Sequence, residues 1–294
     1  MNIPSDVWRE WGAPPLEMAL MLLPAFWYAT GVCALWRSAG VGHGVSRARA
    51  AAFAAGILVL VLALASPLDA AADALFSAHM VQHLLLILVA APLIVIGAPS
   101  LPALWALPRR SRRAVGRWWH RAVALRSIVH VFTSPGAAFV LHFGALWFWH
   151  MPAPYQAALR SPALHALEHA IFLGTAVLFW WAVATPVGRP RAREATGIAM
   201  IVGTLMHSGA LGALLMFASS PWYPAHDAGA KAWGTTAMDD QQLAGLIMWI
   251  PAGAIYVAAA AWLFVKWMHR DEQRQAVRSI AQRQARVLSL EEVS

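Results

Sequence analysis

Apolar stretches with at most one charged residue, about as long as a bilayer is thick, recur along this 294-residue chain, and they constrain its fold more than any motif does. Crossing the hydrocarbon core takes about 20 residues of helix at about 1.5 Å rise each. Stretches of that order lie near 17–36, 48–66, 74–98, 135–151, 162–186, 196–218 and 242–266. The fourth is short and reaches full length only if it begins a turn earlier, around Val129. Proline marks several edges, at Pro14 and Pro15, Pro67, Pro99, Pro135 and Pro152. Composition agrees, since 60% of residues are hydrophobic and 12% charged, against about 25% charged in an ordinary soluble domain. The expected fold is an all-α integral membrane protein, a bundle of about seven transmembrane helices.

The net charge of +8 might suggest nucleic acid, but the basic residues are placed otherwise. Nineteen of the 22 fall in alternate connections or the tail: Arg37, Arg47 and Arg49; seven arginines between Arg109 and Arg126; Arg189, Arg191 and Arg193; and six bases from Lys266 to Arg286. The exceptions are Arg9, Arg160 and Lys231. Basic loops mark the cytoplasmic side. The N-terminus is therefore expected outside and the C-terminus inside, which requires an odd number of spans. This reading divides the chain into an outer segment 1–16, a membrane domain 17–268 and a cytoplasmic tail 269–294. The basic segment 99–134 lies on the cytoplasmic side. Within it, Trp118 and Trp119 among the arginines suggest a helix lying on an anionic membrane face. Residues 1–16 lack the basic start and apolar core of a cleaved signal peptide, so insertion by the first span is expected. The single cysteine, Cys33, permits no internal disulfide and no CxxC metal motif.

Orientation gives each histidine a depth. His79 and His83 open the third span four residues apart, on one helical face. His150 ends the fourth span, and His165 and His169, with Glu168 beside them, open the fifth. Three spans thus bring five histidines to one outer layer. His207 lies somewhat deeper in the sixth span, and Asp239, Asp240, Gln241 and Gln242 open the seventh. Imidazole is a leading ligand for copper, zinc and haem iron. Ionisable side chains inside a membrane are costly and mark sites. A lone histidine near a helix end has an ordinary explanation in an interfacial hydrogen bond, but two i,i+4 pairs plus His150 do not. Met80, Met151, Met206 and Met238 lie near the same layer, and thioether with imidazole suits Cu(I), although each methionine alone is better explained by packing.

At these residues the chain resembles a known family. The strings HMVQHLLLILVAAPLIVIGAP (79–99), HMPAPYQAAL (150–159), HALEH (165–169) and DDQQLAGLIMWIPAG (239–253) are similar, in the same order, to the multi-spanning CtaG family of caa3-type cytochrome c oxidase assembly factors. The resemblance covers roughly residues 15–268 and implies maturation of the oxidase, without turnover, through copper delivery to a metal centre. On it, the expected ligands are His79, His83, His150, His165 and His169, with Asp240 and His207 as further candidates and Glu168 orienting an imidazole. The expected partners are cytochrome c oxidase subunits, a soluble periplasmic copper carrier, the lipid bilayer of the bacterial inner membrane and, as an option, a second copy of the chain. Alternatives are haem held between facing histidines such as His83 and His169, a metal or proton transporter, and a scaffold with incidental histidines. Concentration of the histidines in one layer argues for a site rather than a path across the membrane.

Overall fold

A computed structural model describes residues 7–185 and 190–291, with side chains described except at 190–193, 274 and 276–291. The described residues form helices and no strand. The elements are α1 (Pro15–Ala39), α2 (Arg47–Leu64), α3 (Pro67–Ala74), α4 (Phe76–Ile96), α5 (Ser100–Trp105), α6 (Arg109–Arg121) and α7 (Val123–Phe132). They continue as α8 (Pro135–Trp149), α9 (Pro152–Arg160), α10 (Pro162–Ala184), α11 (Pro190–Met216), α12 (Asp227–Ala232) and α13 (Ala237–Glu291).

Among the described residues six helices are long and apolar enough to cross a membrane: α1, α2, α4, α10, α11 from Glu194, and α13 as far as Gln273. The short fourth stretch corresponds to α7 and α8, which meet at a 60° bend and make a seventh span if taken together. The protein is a multi-pass membrane protein. The long helix α13 continues without a break past position 269.

Local sequence explains where the helices start. Proline occupies the first turn of α1, α3, α8, α9 and α10, where its missing N–H costs no helical bond. Ser46, Ser66, Ser134 and Ser161 cap α2, α3, α8 and α10 by accepting a backbone N–H, each worth about 1 kcal/mol.

Helix α4 is the hub of the bundle. Just over half of its apolar window, 56%, is buried inside the protein, against 28% for α1 and 22% for α2. Around Leu85–Ala90 it widens into a π turn, so that the Ala91 N–H reaches the Leu86 carbonyl. Pro92 has no N–H to give, and the Ile87 carbonyl is left without a helical donor. Trp180 on α10 supplies one through Nε1 at 2.8 Å. A proline that breaks the ladder thereby ties α4 to α10.

Between α11 and α13 two glycines allow close approach. A Cβ on Gly245 would lie 2.6 Å from the Gly212 carbonyl oxygen, and one on Gly212 would lie 2.8 Å from that of Gly245. Small residues at such crossings let backbones pack where no hydrophobic effect drives helices together.

The two ends of the bundle differ chemically. At one, α6 has no buried residue and Arg112 stacks on Trp105 at 3.9 Å, while Arg270 pairs with Glu194 at 3.0 Å. The bases Arg189, Arg191, Arg193, Arg274, Arg278, Arg283 and Arg286 lie outside the described side chains. The opposite end gathers the histidines.

Candidate metal centre

The site is built from the start of α4. The N–H groups of Phe76 and Ser77 have no helical acceptor, and the carboxylate of Asp240 on α13 takes both, at 2.7 and 3.1 Å. The Ser77 hydroxyl donates to the same carboxylate. A negative charge at a helix N-terminus also meets the positive end of its dipole. Gln241 ties the neighbouring loop down, accepting from the Trp222 N–H at 2.6 Å and donating to the Leu215 carbonyl at 3.2 Å. Tyr223 donates to the His150 carbonyl at 2.6 Å. Depth and rotation of α4 are thereby fixed against α13 and the loop before it.

From that anchor His79 and His83 point at α10. Their ring centroids are 4.3 Å apart, as are those of His165 and His169. Across the gap, His79 stacks on His165 at 5.2 Å, and His83 meets His169 edge-on at 5.3 Å. Donor atoms of His79, His83 and His169 all lie within 4.8 Å of one another, and so do those of His79, His165 and Glu168. His79 belongs to both groups. Glu168 Oε1 stands 3.8 Å from His83 Nε2.

What the rings lack is as informative as their spacing. His79 and His83 are buried, yet both ring nitrogens of each have no hydrogen-bond partner in the protein. The same holds for Nε2 of His165 and His169 and for both oxygens of Glu168. Leaving a buried polar group unpaired costs about 1–3 kcal/mol, and nearly all buried polar groups in proteins are paired. Six unsatisfied nitrogens on these four neighbouring rings give every ring at least one nitrogen available to a metal ion. The residues fit a metal.

His150 lies on the flank, its ring 6.3 Å from that of His83. Its Nδ1 is 2.7 Å from the Leu146 carbonyl, an acceptor, so the proton sits on Nδ1. Nε2 is then a bare lone pair, and it lies 3.4 Å from the Met80 sulfur. Imidazole and thioether lone pairs therefore face each other beside the main group.

His165 is only partly buried, and Asp73 on α3 lies close enough to act on its charge. Burial raises the Asp69 carboxyl to about 6, a hydrogen bond from Gln82 opposes this, and the charges of Asp73 and Glu17 add to it. Burial also raises Asp73, which the nearby His165 counters. Gln82 Nε2 reaches Asp69 Oδ1 at 2.6 Å and the Ala63 carbonyl at 2.9 Å.

Of the residues singled out by sequence, the fold brings His79, His83, His165 and His169 together, with Glu168 among them and His150 at the edge. His207 stands elsewhere, against Phe143 at 4.7 Å and Phe139 at 5.8 Å, and its ring nitrogens have no partner. Asp240 caps α4. His142 is a separate buried ring bonded to Thr175 at 3.2 Å. Sequence reasoning passed over His226, which comes from the loop before α12. Its ring is 6.5 Å from that of His79, and its Nε2 is hydrogen-bonded to the Tyr155 hydroxyl at 2.8 Å. A histidine between Tyr223 and Asp227 on the same side was the available signal.

Comparison with known proteins agrees with the motifs. The family described as cytochrome c oxidase caa3 assembly factor (Caa3_CtaG) matches residues 26–270. Uncharacterised proteins of Mycobacterium bovis and Mycobacterium tuberculosis are each 25% identical over 267 residues, 90% of this chain and 40% of theirs. One of Mycobacterium leprae is 24% identical over 221 residues, 70% of this chain and 32% of its own. The chain thus spans less than half the length of these curated relatives. No solved structure matches it. With most of its length matched, the chain belongs to the cytochrome c oxidase caa3 assembly factor family.

Proposed function

We propose that this protein assists maturation of a caa3-type cytochrome c oxidase by holding copper, as Cu(I), in the histidine gap between α4 and α10. The arginine bias supports a bacterial plasma membrane location with the histidine end outside, where Cu(I) would arrive from a soluble carrier. The observation that carries the reading is the set of buried, unpartnered nitrogens on His79, His83 and His169, within 4.8 Å of one another. Neutral imidazole binds copper, zinc, iron and nickel. The His150–Met80 pair favours Cu(I), because a thioether is a poor partner for Zn(II). His165, the least buried of the four, receives the ion, and His79 passes it inward because it belongs to both donor groups. Glu168 orients His83 and takes up positive charge. Copper is cargo here, handed to an oxidase subunit.

The haem alternative is disfavoured by packing. His83 lies 4.6 Å from the Phe172 ring and 4.3 Å from His79 as well as 5.3 Å from His169, which leaves no slot for a macrocycle.

The test is metal retention by full-length protein purified in detergent and loaded with Cu(I) under reductant. With His79 and His83 both changed to alanine, retained copper falls by more than about tenfold, and caa3 oxidase activity falls in cells that hold unchanged amounts of the protein. Copper retention equal to the parent's contradicts the proposal.

A further inference from the structure

Away from the histidines, the basic end holds a cavity of about 830 Å³ between α4, α10, α11 and α13. It lies within the size range of small-molecule sites. Leu88, Trp180 and Ile255 wall its deep part, and Glu194, Lys266 and Arg270 stand at its mouth. We propose that this cavity binds one anionic phospholipid, with its phosphodiester on Lys266 and Arg270 and an acyl chain in the apolar slot. The inference is independent of the metal reading.

Three observations converge on that occupant. The first is depth. Ile255 and Arg270 both lie on α13, and 15 positions at about 1.5 Å each put them about 22 Å apart along the axis. Half of a bilayer including its headgroups is about 20–22 Å. The slot is one leaflet deep, with its charges at headgroup level.

The second is charge. Arg270 is held by Glu194 at 3.0 Å, and Lys266 lies over the Trp262 ring at 4.6 Å. The three ionised groups carry one net positive charge, which matches the single negative charge of a phosphodiester. A zwitterionic headgroup would bring its own cation to a site that already holds two. The third is the mixed character of the site, since an apolar interior below a cationic rim suits an amphiphile and no small polar ligand. Basic pockets between transmembrane helices are recurrent sites for anionic lipid headgroups.

The test uses the full-length protein in detergent, titrated with phosphatidylglycerol or with phosphatidylcholine of the same acyl chains and read by native mass spectrometry. Phosphatidylglycerol adducts form at about fivefold lower concentration, the scale of one cation near an anionic lipid surface. Lys266→Gln removes that preference, and Ala259→Trp, which fills the slot, reduces binding of both lipids. Equal binding of the two lipids by the parent protein overturns the proposal, and so does a preference that survives Lys266→Gln. Should Ala259→Trp fail to fold, Lys266→Gln decides alone, because Lys266 is a partly buried rim side chain whose ring contact is to the exposed Trp262.

Discussion

The histidine end and the basic end solve the problem of polar groups in a membrane protein in opposite ways. At the basic end three of the bases have partners, Arg270 on Glu194, Lys266 over Trp262 and Arg112 over Trp105, and the space between the helices is apolar. At the histidine end the framing side chains make hydrogen bonds and the four imidazoles between α4 and α10 do not. Asp240, Gln241, Gln82 and Tyr223 spend their hydrogen bonds on backbone and loop, while the imidazoles they frame keep bare nitrogens. Of the buried side-chain atoms without a hydrogen-bond partner among the described residues, the densest group is the six ring nitrogens of His79, His83, His165 and His169. The difference separates residues that hold the site from residues that are the site.

That separation is open to measurement. Asp240→Ala leaves the Phe76 and Ser77 N–H groups and the Ser77 hydroxyl without an acceptor, and should lower stability by about 3 kcal/mol. Thermal unfolding in mild detergent measures it, and a loss below about 0.5 kcal/mol would show that the cap does not hold α4. Trp180→Phe leaves the Ile87 carbonyl unpaired at the π turn and should cost about 1–3 kcal/mol in the same assay.

Asp69→Asn works in the other direction. Its carboxyl sits at about 6 in the fold against an ordinary value near 3.8, so the unfolded chain ionises first. The parent protein therefore loses stability as pH rises from about 4 to about 6 and does not regain it above. The variant lacks this loss and should be more stable at pH 7 by about 1–2 kcal/mol once solvent screening is allowed for. Parallel pH–stability curves for the two proteins would contradict the assignment. The smallest effect is expected at the other end of the bundle. Glu194→Gln breaks a pair whose arginine is half-exposed, and should change stability by less than about 1 kcal/mol.

Much of this was legible in the sequence, for reasons that also explain what was not. Six spans announced themselves by length, because hydrocarbon thickness sets a helix length whatever the neighbours are. The i,i+4 pairs His79/His83 and His165/His169 implied shared faces, because that spacing is a property of the helix alone. The bend between α7 and α8 showed only as a stretch that was too short. Rotation about a helix axis is decided by neighbours, so His207 has a readable depth but turns toward Phe139 and Phe143. The role of Asp240 depends on the start of α4, 164 residues away in the chain. His226 and Tyr155 meet across two connecting segments, where no period exists to read.

The proposed copper site in the histidine gap, with Met80 at its edge, has ligands that can be measured. Copper K-edge X-ray absorption on the Cu(I)-loaded full-length protein tests it most directly. The expected first shell is imidazole nitrogen at about 2.0 Å with a sulfur contribution that disappears in Met80→Leu, while the imidazole signal remains. A shell dominated by oxygen without imidazole scattering, or a spectrum unchanged when His79 and His83 are both replaced by alanine, would contradict it.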